Sequence, residues 1–329
     1  MTPLDRCWYE NHPLTSLLVP LSWLFRLLVI LRRFAYRTGL LPVVRLPVPV
    51  LIVGNISVGG TGKTPLVIWL AKMLRNNGYR PGIICRGYKG QAVDWPLVVT
   101  ETSDPHLAGD ESVLLARRSR CMVVAAPDRA AAARKAIDGG CDIIISDDGL
   151  QHYALERDIE IAVIDGERRF GNGHCLPAGP LREPERRLAT VDFIVVNGEA
   201  KHGEYSMLLS GDEFQMIGAN KRAAANDFRG REVHAVAAIG NPGRFFRQLR
   251  AMGLTITEHP FPDHHFFAAE DIRFGSNAVV IMTEKDAVKC PEIKTGDYWY
   301  LPVDAQPDPQ FGAELLQRLN RPASPVART

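Results

Sequence analysis

Residues 54–65, GNISVGGTGKTP, follow an apolar run with glycines, one lysine and one threonine, the residue types that grip a phosphate chain. Gly59, Gly60 and Gly62 carry no side chain, so backbone N–H groups can curl around oxyanions. A helix beginning near Lys63 adds the positive end of its dipole. Ser57, Val58, Gly59, Gly60, Thr61 and Gly62 then line a nucleotide, Lys63 reaches its β- and γ-phosphates, and Thr64 holds Mg²⁺. The strict spacing G-x-x-x-x-G-K-[ST] fails at its first position, where Ser57 stands. The flanks still fit, with a β-branched run before the glycines and apolar positions at helical spacing after them.

Phosphoryl transfer also needs carboxylates. Ser146-Asp147-Asp148 closes the apolar run CDIII, the place where an acid meets a metal beside a phosphate loop, although S-D-D-G is equally good turn chemistry. Asp110 and Glu111 open a predicted helix, where capping alone explains acids. Asp165 ends another strand. His264 and His265 are adjacent and point different ways on most backbones, which disfavours a two-histidine metal site. Arg168, Arg169, Arg182, Arg186 and Arg187 surround the loop GNGHCLPAGPLREP, suited either to an anion or to solvent.

The elements that must position these groups alternate. Strands are expected at residues 82–85, 121–125, 141–146, 159–164 and 193–196, with helices over 111–118 and 128–137. Continuous rather than alternating apolarity marks strands covered on both faces, hence a parallel sheet wrapped by helices. Beyond residue 200 the segments alternate, and a smaller α/β unit follows with a helix over 242–252, strands near 278–282 and 298–303, and a last helix over 309–319. The expected division is an N-terminal segment (1–40), a phosphate-loop unit (41–200), linker strands (201–230) and a C-terminal α/β unit (231–329) ending in a frayed tail.

The net charge of +2 is uneven, since residues 1–48 carry six arginines against Asp5 and Glu10, or +4, leaving −2 for the remainder. The basic residues flank the apolar run 17–31, which Pro20 and Arg26 interrupt. That run is short for a bilayer span and lacks a signal-peptide cleavage site. An amphipathic helix in the headgroup region, arginines toward anionic lipid, fits it better; a helix packed on the core or a partner is the alternative. A nucleic-acid surface is not indicated, because the basic residues cluster with apolar ones. The six cysteines are scattered without a C-x-x-C pair, which suits reduced thiols in a cytosol.

The segments GNISVGGTGKTP, CRGYKG (85–90), GDE (109–111), SDDGLQH (146–152), GNGHCLPAGPLREP (171–184), FPDHHFF (261–267) and TEKDAVK (283–289), in that order, closely resemble the tetraacyldisaccharide 4'-kinase family. The resemblance implies a P-loop NTPase-like sheet with a second α/β domain. It also implies ATP, Mg²⁺, and transfer of the γ-phosphate to the 4'-hydroxyl of a tetraacylated glucosamine disaccharide 1-phosphate, forming lipid IVA. The N-terminal helix would lie on the cytoplasmic face of the inner membrane. Carried over residue by residue, Lys63 grips the transferred phosphate, Asp110 is the catalytic base and His264 its partner. Asp147, Asp148 and Gln151 organise metal and loop, Asp147 acting in catalysis and holding the metal with Thr64 and Glu111. Glu183 is a further polar group at the nucleotide. The rival is a P-loop switch GTPase or metal-delivery ATPase, supported by Thr283-Glu284-Lys285-Asp286, an off-register likeness of the guanine-reading [NT]-K-x-D motif.

Overall fold

The computed structural model describes residues 7–320 apart from residues 11, 276–277, 291–292 and 294–295. The expected frayed tail, 321–329, lies outside the described residues. The sequence VLIVG forms strand β1 (Val50–Gly54), every residue of it buried, and β5 (Ile143–Asp147) and β6 (Ile159–Asp165) are equally buried throughout. They pair in parallel on either side of β1, with Val53 opposite Asp147. With β2 (Pro81–Cys85), β4 (Met122–Ala125), β7 (Phe193–Asn197), β8 (Tyr205–Ser210) and edge strands β3 (Leu97–Val99) and β15 (Asp304–Pro307) they form one sheet of order β15-β8-β7-β6-β1-β5-β2-β4-β3. One face is covered by α2 (Lys63–Asn76), α4 (Asp110–Ser119) and α8 (Pro309–Leu319), the other by α5 (Arg129–Asp138). Between β4 and α5, Asp128 caps the helix through its side chain. A short α3 (Pro105–Ala108) precedes α4.

A second sheet has the order β10-β9-β14-β13-β11-β12. Its central strands β11 (Val233–Ala237), β13 (Val279–Thr283) and β14 (Asp297–Leu301) are parallel, and β9 (Glu213–Met216) and β10 (Arg222–Ala224) add an antiparallel edge. Between β11 and β12 (Ile256–Pro260) runs α6 (Pro242–Ala251), and α7 (Glu284–Val288) leaves the end of β13.

The sheets divide the chain differently from the expected segments. β8 lies within the segment expected to link the units, yet it joins the first sheet beside β7. β15 and α8, expected in the C-terminal unit, return there too, pairing with β8 and seating Phe311 and Leu315 in the first core. The alternating burial of an edge strand reads in sequence like a separate antiparallel unit. Phe311 is fully buried against Trp69, Phe193 and Tyr205, with ring centroids 5.4–5.8 Å apart. Phe311→Ala is therefore expected to lower the unfolding free energy by about 3–5 kcal/mol in urea titration. A loss below about 1 kcal/mol would show that α8 is not part of the first core.

The N-terminal helix α1 (Leu14–Arg37) runs through Pro20 and Arg26, so it is longer than the apolar run suggested. By length and composition alone its 24 residues suffice to cross a membrane. One stripe of it docks on the first unit along its length. Ser22 donates to Cys175 O at 2.7 Å and accepts from Ala178 N at 2.9 Å. Phe25 packs on the core, Arg33 donates to Thr190 Oγ1, and Tyr36 meets Tyr153. The opposite stripe is apolar and exposed, including Leu17, Leu21, Leu24, Leu28 and Leu31.

Candidate active site

β1 delivers the chain into the glycine loop, and Gly62, in the left-handed region at φ 94°, caps α2. Lys63 turns back over the loop, its Nζ 3.1 Å from Asn55 Oδ1 and 3.4 Å from Asp148. Arg182 completes a cationic pair around Asp148 with contacts of 2.9 and 3.0 Å. Burial would raise the Asp148 carboxyl, but Lys63 and Arg182 outweigh it and hold it well below the ordinary range. Asp147 behaves oppositely. It ends β5 beside β1, is buried, and its Oδ1 has no hydrogen-bond partner. Burial, then the Glu111 charge, push its carboxyl up to about 7.

A second cluster forms where α4 begins. Asp110 is 3% exposed, and His264, from the loop after β12, sets Nδ1 2.9 and 3.0 Å from its two oxygens. His264 takes φ 61°, donates its backbone N–H to Ala238 O at 3.1 Å, and lies edge-on to Tyr88. Lys285, opening α7, places Nζ 2.9 Å from Glu111, 3.3 Å from His264 Nε2 and 3.4 Å from Asp263. Burial would lower the Lys285 ammonium, but Glu111, Asp110 and Asp263 raise it above its ordinary value. An ammonium has only protons to offer, so Nε2 accepts and the imidazole proton sits on Nδ1, facing Asp110. Burial opposes ionisation of Asp110, yet the His264 hydrogen bond and Lys285 hold its carboxyl below the ordinary range. An ionised, oriented carboxylate of this kind can accept a proton from a hydroxyl.

A sequence profile described as tetraacyldisaccharide-1-P 4'-kinase, LpxK, matches residues 14–320. The chain belongs to the tetraacyldisaccharide 4'-kinase family. It is 54% identical to the tetraacyldisaccharide 4'-kinase of Nitrosococcus oceani over 97% of this chain and 94% of that protein. It is 50% identical to that of Methylobacillus flagellatus, over 97% and 96%. Among solved structures, the "apo" form of LpxK from Aquifex aeolicus in complex with ATP superposes with a TM-score of 0.79 at 29% identity, covering 93% of this chain and 99% of that one. The fold of this chain is thus shared with a member of the family, and both α/β units and the N-terminal helix fall within the matched span.

The residues expected from the family resemblance separate into groups. Lys63, Asp147 and Asp148 converge at the glycine loop, and Asp110, Glu111 and His264 meet beside them. Thr64 stands half-buried in the first turn of α2. Gln151 braces the loop's base, donating to Asn55 O at 3.0 Å and to Glu183 at 2.8 Å. Glu183 itself is 1% exposed and also accepts from Tyr153 and pairs with Arg187 at 3.5 Å, so its oxygens face the interior. Ser57 bridges to Leu181, and Val58 gives its N–H to Pro180 O at 2.8 Å, which anchors the loop's first half to residues 180–181. His265 pairs instead with Asp271.

The arginines flanking that second loop divide likewise. Arg182 serves Asp148, Arg187 is buried against Glu160 at 2.5 Å, and Arg169 pairs with Glu204. Among the described residues no group of three His, Cys, Asp or Glu side chains forms a metal cage. Asp147, whose Oδ1 has no hydrogen-bond partner and whose carboxyl is pushed up by burial and the Glu111 charge, nevertheless fits one divalent cation shared with phosphates, the usual arrangement for Mg²⁺. Sequence reasoning missed Asn55, Asn197 and Lys285. Asn55 directly follows β1, a position that could have flagged it, whereas Lys285 was read in the family segment TEKDAVK and in the guanine motif without a role at the site. That motif is not a base reader, because Asp286 is fully buried and accepts from Ala238 N and Thr283 Oγ1.

Proposed function

We propose that the chain transfers the γ-phosphate of ATP to the 4'-hydroxyl of a tetraacylated glucosamine disaccharide 1-phosphate, forming lipid IVA, at the cytoplasmic face of the inner membrane. The observation that carries this reading is the buried Asp110–His264 pair, contiguous through Glu111 with the phosphate loop. Asp110 takes the hydroxyl proton as the sugar oxygen bonds to the γ-phosphorus and the bond to the β–γ bridging oxygen breaks, releasing ADP. His264 orients that carboxylate through Nδ1–H. Lys63 and the N–H groups of residues 59–62 bind the transferring phosphoryl group. Thr64, Asp147 and Glu111 would hold Mg²⁺, which when bound neutralises phosphate charge. Asp148 and Arg182 keep Lys63 aimed, and Gln151 keeps the loop's base in place.

Labelled ATP and detergent-dispersed disaccharide 1-phosphate test the reading. Label is expected in the lipid, with ATP consumption falling to a small residue when the acceptor is left out. Equal ATP consumption with and without acceptor would favour a hydrolysing switch instead.

The docked stripe of α1 supports a helix lying along the membrane surface, since a span would carry Cys175, Thr190 and Tyr153 into hydrocarbon. Leu21→Glu with Leu28→Glu, both on the exposed stripe, is expected to weaken vesicle binding by roughly a hundredfold or more, from about 1.5–3 kcal/mol per leucine. Cosedimentation with anionic vesicles measures it. Undiminished binding would remove α1 as the anchor.

A further inference from the structure

We infer that Asn197 is a positioning residue for the phosphate loop and that Arg244, from the second unit, sets its amide; this deepens, and rests on, the reading of ATP as donor. Glycines offer no side chains by which a loop's peptide planes can be held, so the planes are held from outside. Within one planar trans peptide the C=O and N–H point in opposite directions, so tethering a carbonyl behind the loop aims the next N–H forward. Two asparagines do this. Asn55 Nδ2 donates to Gly59 O at 3.5 Å, and Asn197 Nδ2 donates to Thr61 O at 3.3 Å. The second tether fixes the Thr61–Gly62 peptide and hence the Gly62 N–H at the mouth of α2. It also explains why residue 62 must be glycine, since a Cβ there would stand 2.8 Å from Asn197 Nδ2.

Asn197 ends β7 and is 2% exposed. An amide can turn either end toward a neighbour, and Arg244 decides which. Its Nη2 donates to Asn197 Oδ1 at 2.7 Å, and a guanidinium has no acceptor, so it binds only the oxygen end and leaves Nδ2 toward Thr61. Among the described residues no carboxylate lies within ion-pair distance of Arg244. The segment before α6 leans on the same loop, where a Cβ on Gly240 would stand 2.9 Å from Gly60 N, and Arg168 donates to Gly240 O at 3.4 Å. Seating the second unit and aiming a phosphate-facing donor are therefore one event, and withdrawing α6 frees the Asn197 amide to turn.

The test is a double-mutant cycle of Arg244→Met and Asn197→Ala, read as kcat and KM for ATP, with the melting temperature of each variant recorded. Each single variant is expected to lose roughly 10- to 100-fold in kcat/KM for ATP, the scale of a slightly misaimed donor, with the double variant no worse than Asn197→Ala alone. Losses that multiply in the double variant would overturn the relay. Asn197→Asp keeps a partner for Arg244 but cannot donate to Thr61 O, so wild-type kinetics in it would also overturn the relay. Should Asn197→Ala fail to fold, unchanged kcat and KM in Arg244→Met would suffice to reject it. A wild-type chain that transfers no phosphate from ATP removes both this inference and the kinase reading, whereas transfer with multiplying losses removes the relay alone.

Discussion

Asp110→Ala is expected to lower phosphate transfer by roughly 10²–10⁴-fold, the usual worth of a positioned general base, while leaving ATP affinity within about threefold of wild type. The separation follows from placement. Asp110 meets His264 Nδ1 and accepts from the Glu111 N–H at 2.8 Å, and among the described residues it makes no hydrogen bond or ion pair with the glycine loop. A sugar hydroxyl at neutral pH is a poor nucleophile, and Asp110 is the ionised carboxylate in this cluster that a histidine orients. His264→Ala should lose less, because Asp110 retains Lys285 nearby and remains a base that is merely less well aimed. Steady-state transfer kinetics with an independent nucleotide-binding measurement check both. Near-normal turnover in Asp110→Ala would take the residue out of the mechanism.

Lys63→Ala is expected to cost about 10³-fold in kcat, or about 4 kcal/mol, the scale for removing one preorganised charge from a phosphoryl transition state, and to weaken ATP binding as well. The ammonium is held ready by Asn55 and Asp148, so little reorganisation is needed when phosphate arrives. Lys63→Arg should not restore activity, because the guanidinium fork is broader than the point charge that the loop encloses. Thermal melting of both variants should stay near wild type, since the Lys63 ammonium meets polar groups, Asn55 and Asp148, and no apolar core contact is lost. An alanine variant within about fivefold of wild-type turnover would show that another cation serves the γ-phosphate.

Much of this site was legible in the chain because its chemistry is local. The glycine loop lies between a strand and a helix that are contiguous in sequence, so the backbone conformation, the helix dipole and the lysine all follow from about twenty consecutive residues. Asp147 was legible for the same reason, as the end of a continuous apolar strand. The resemblance to the kinase family extended this reading to Asp110 and His264 across the chain.

Other features depended on how distant segments pack. That His264 rather than His265 meets Asp110, 154 residues away, is decided by the turn after β12, where the left-handed backbone at His264 points one imidazole inward and the next toward Asp271. Glu183 and Gln151 share one motif-rich neighbourhood, yet burial against Tyr153 and Arg187 turns the former inward. The edge strands β8 and β15 belong to the first sheet because Phe311 and Leu315 are buried there, a preference that alternating edge residues do not record. Asn197 and Arg244 carry no motif at all. Sequence alone determined the phosphate loop and its carboxylate neighbour, which are written in short-range spacing, while the resemblance of motif segments from residue 54 to residue 289 pointed to the kinase family. Only the tertiary structure decided how the His264 imidazole meets Asp110, which amide meets the loop and which edge strands join the first sheet, because hydrogen-bond geometry between remote segments is set by packing and not by periodicity along the chain.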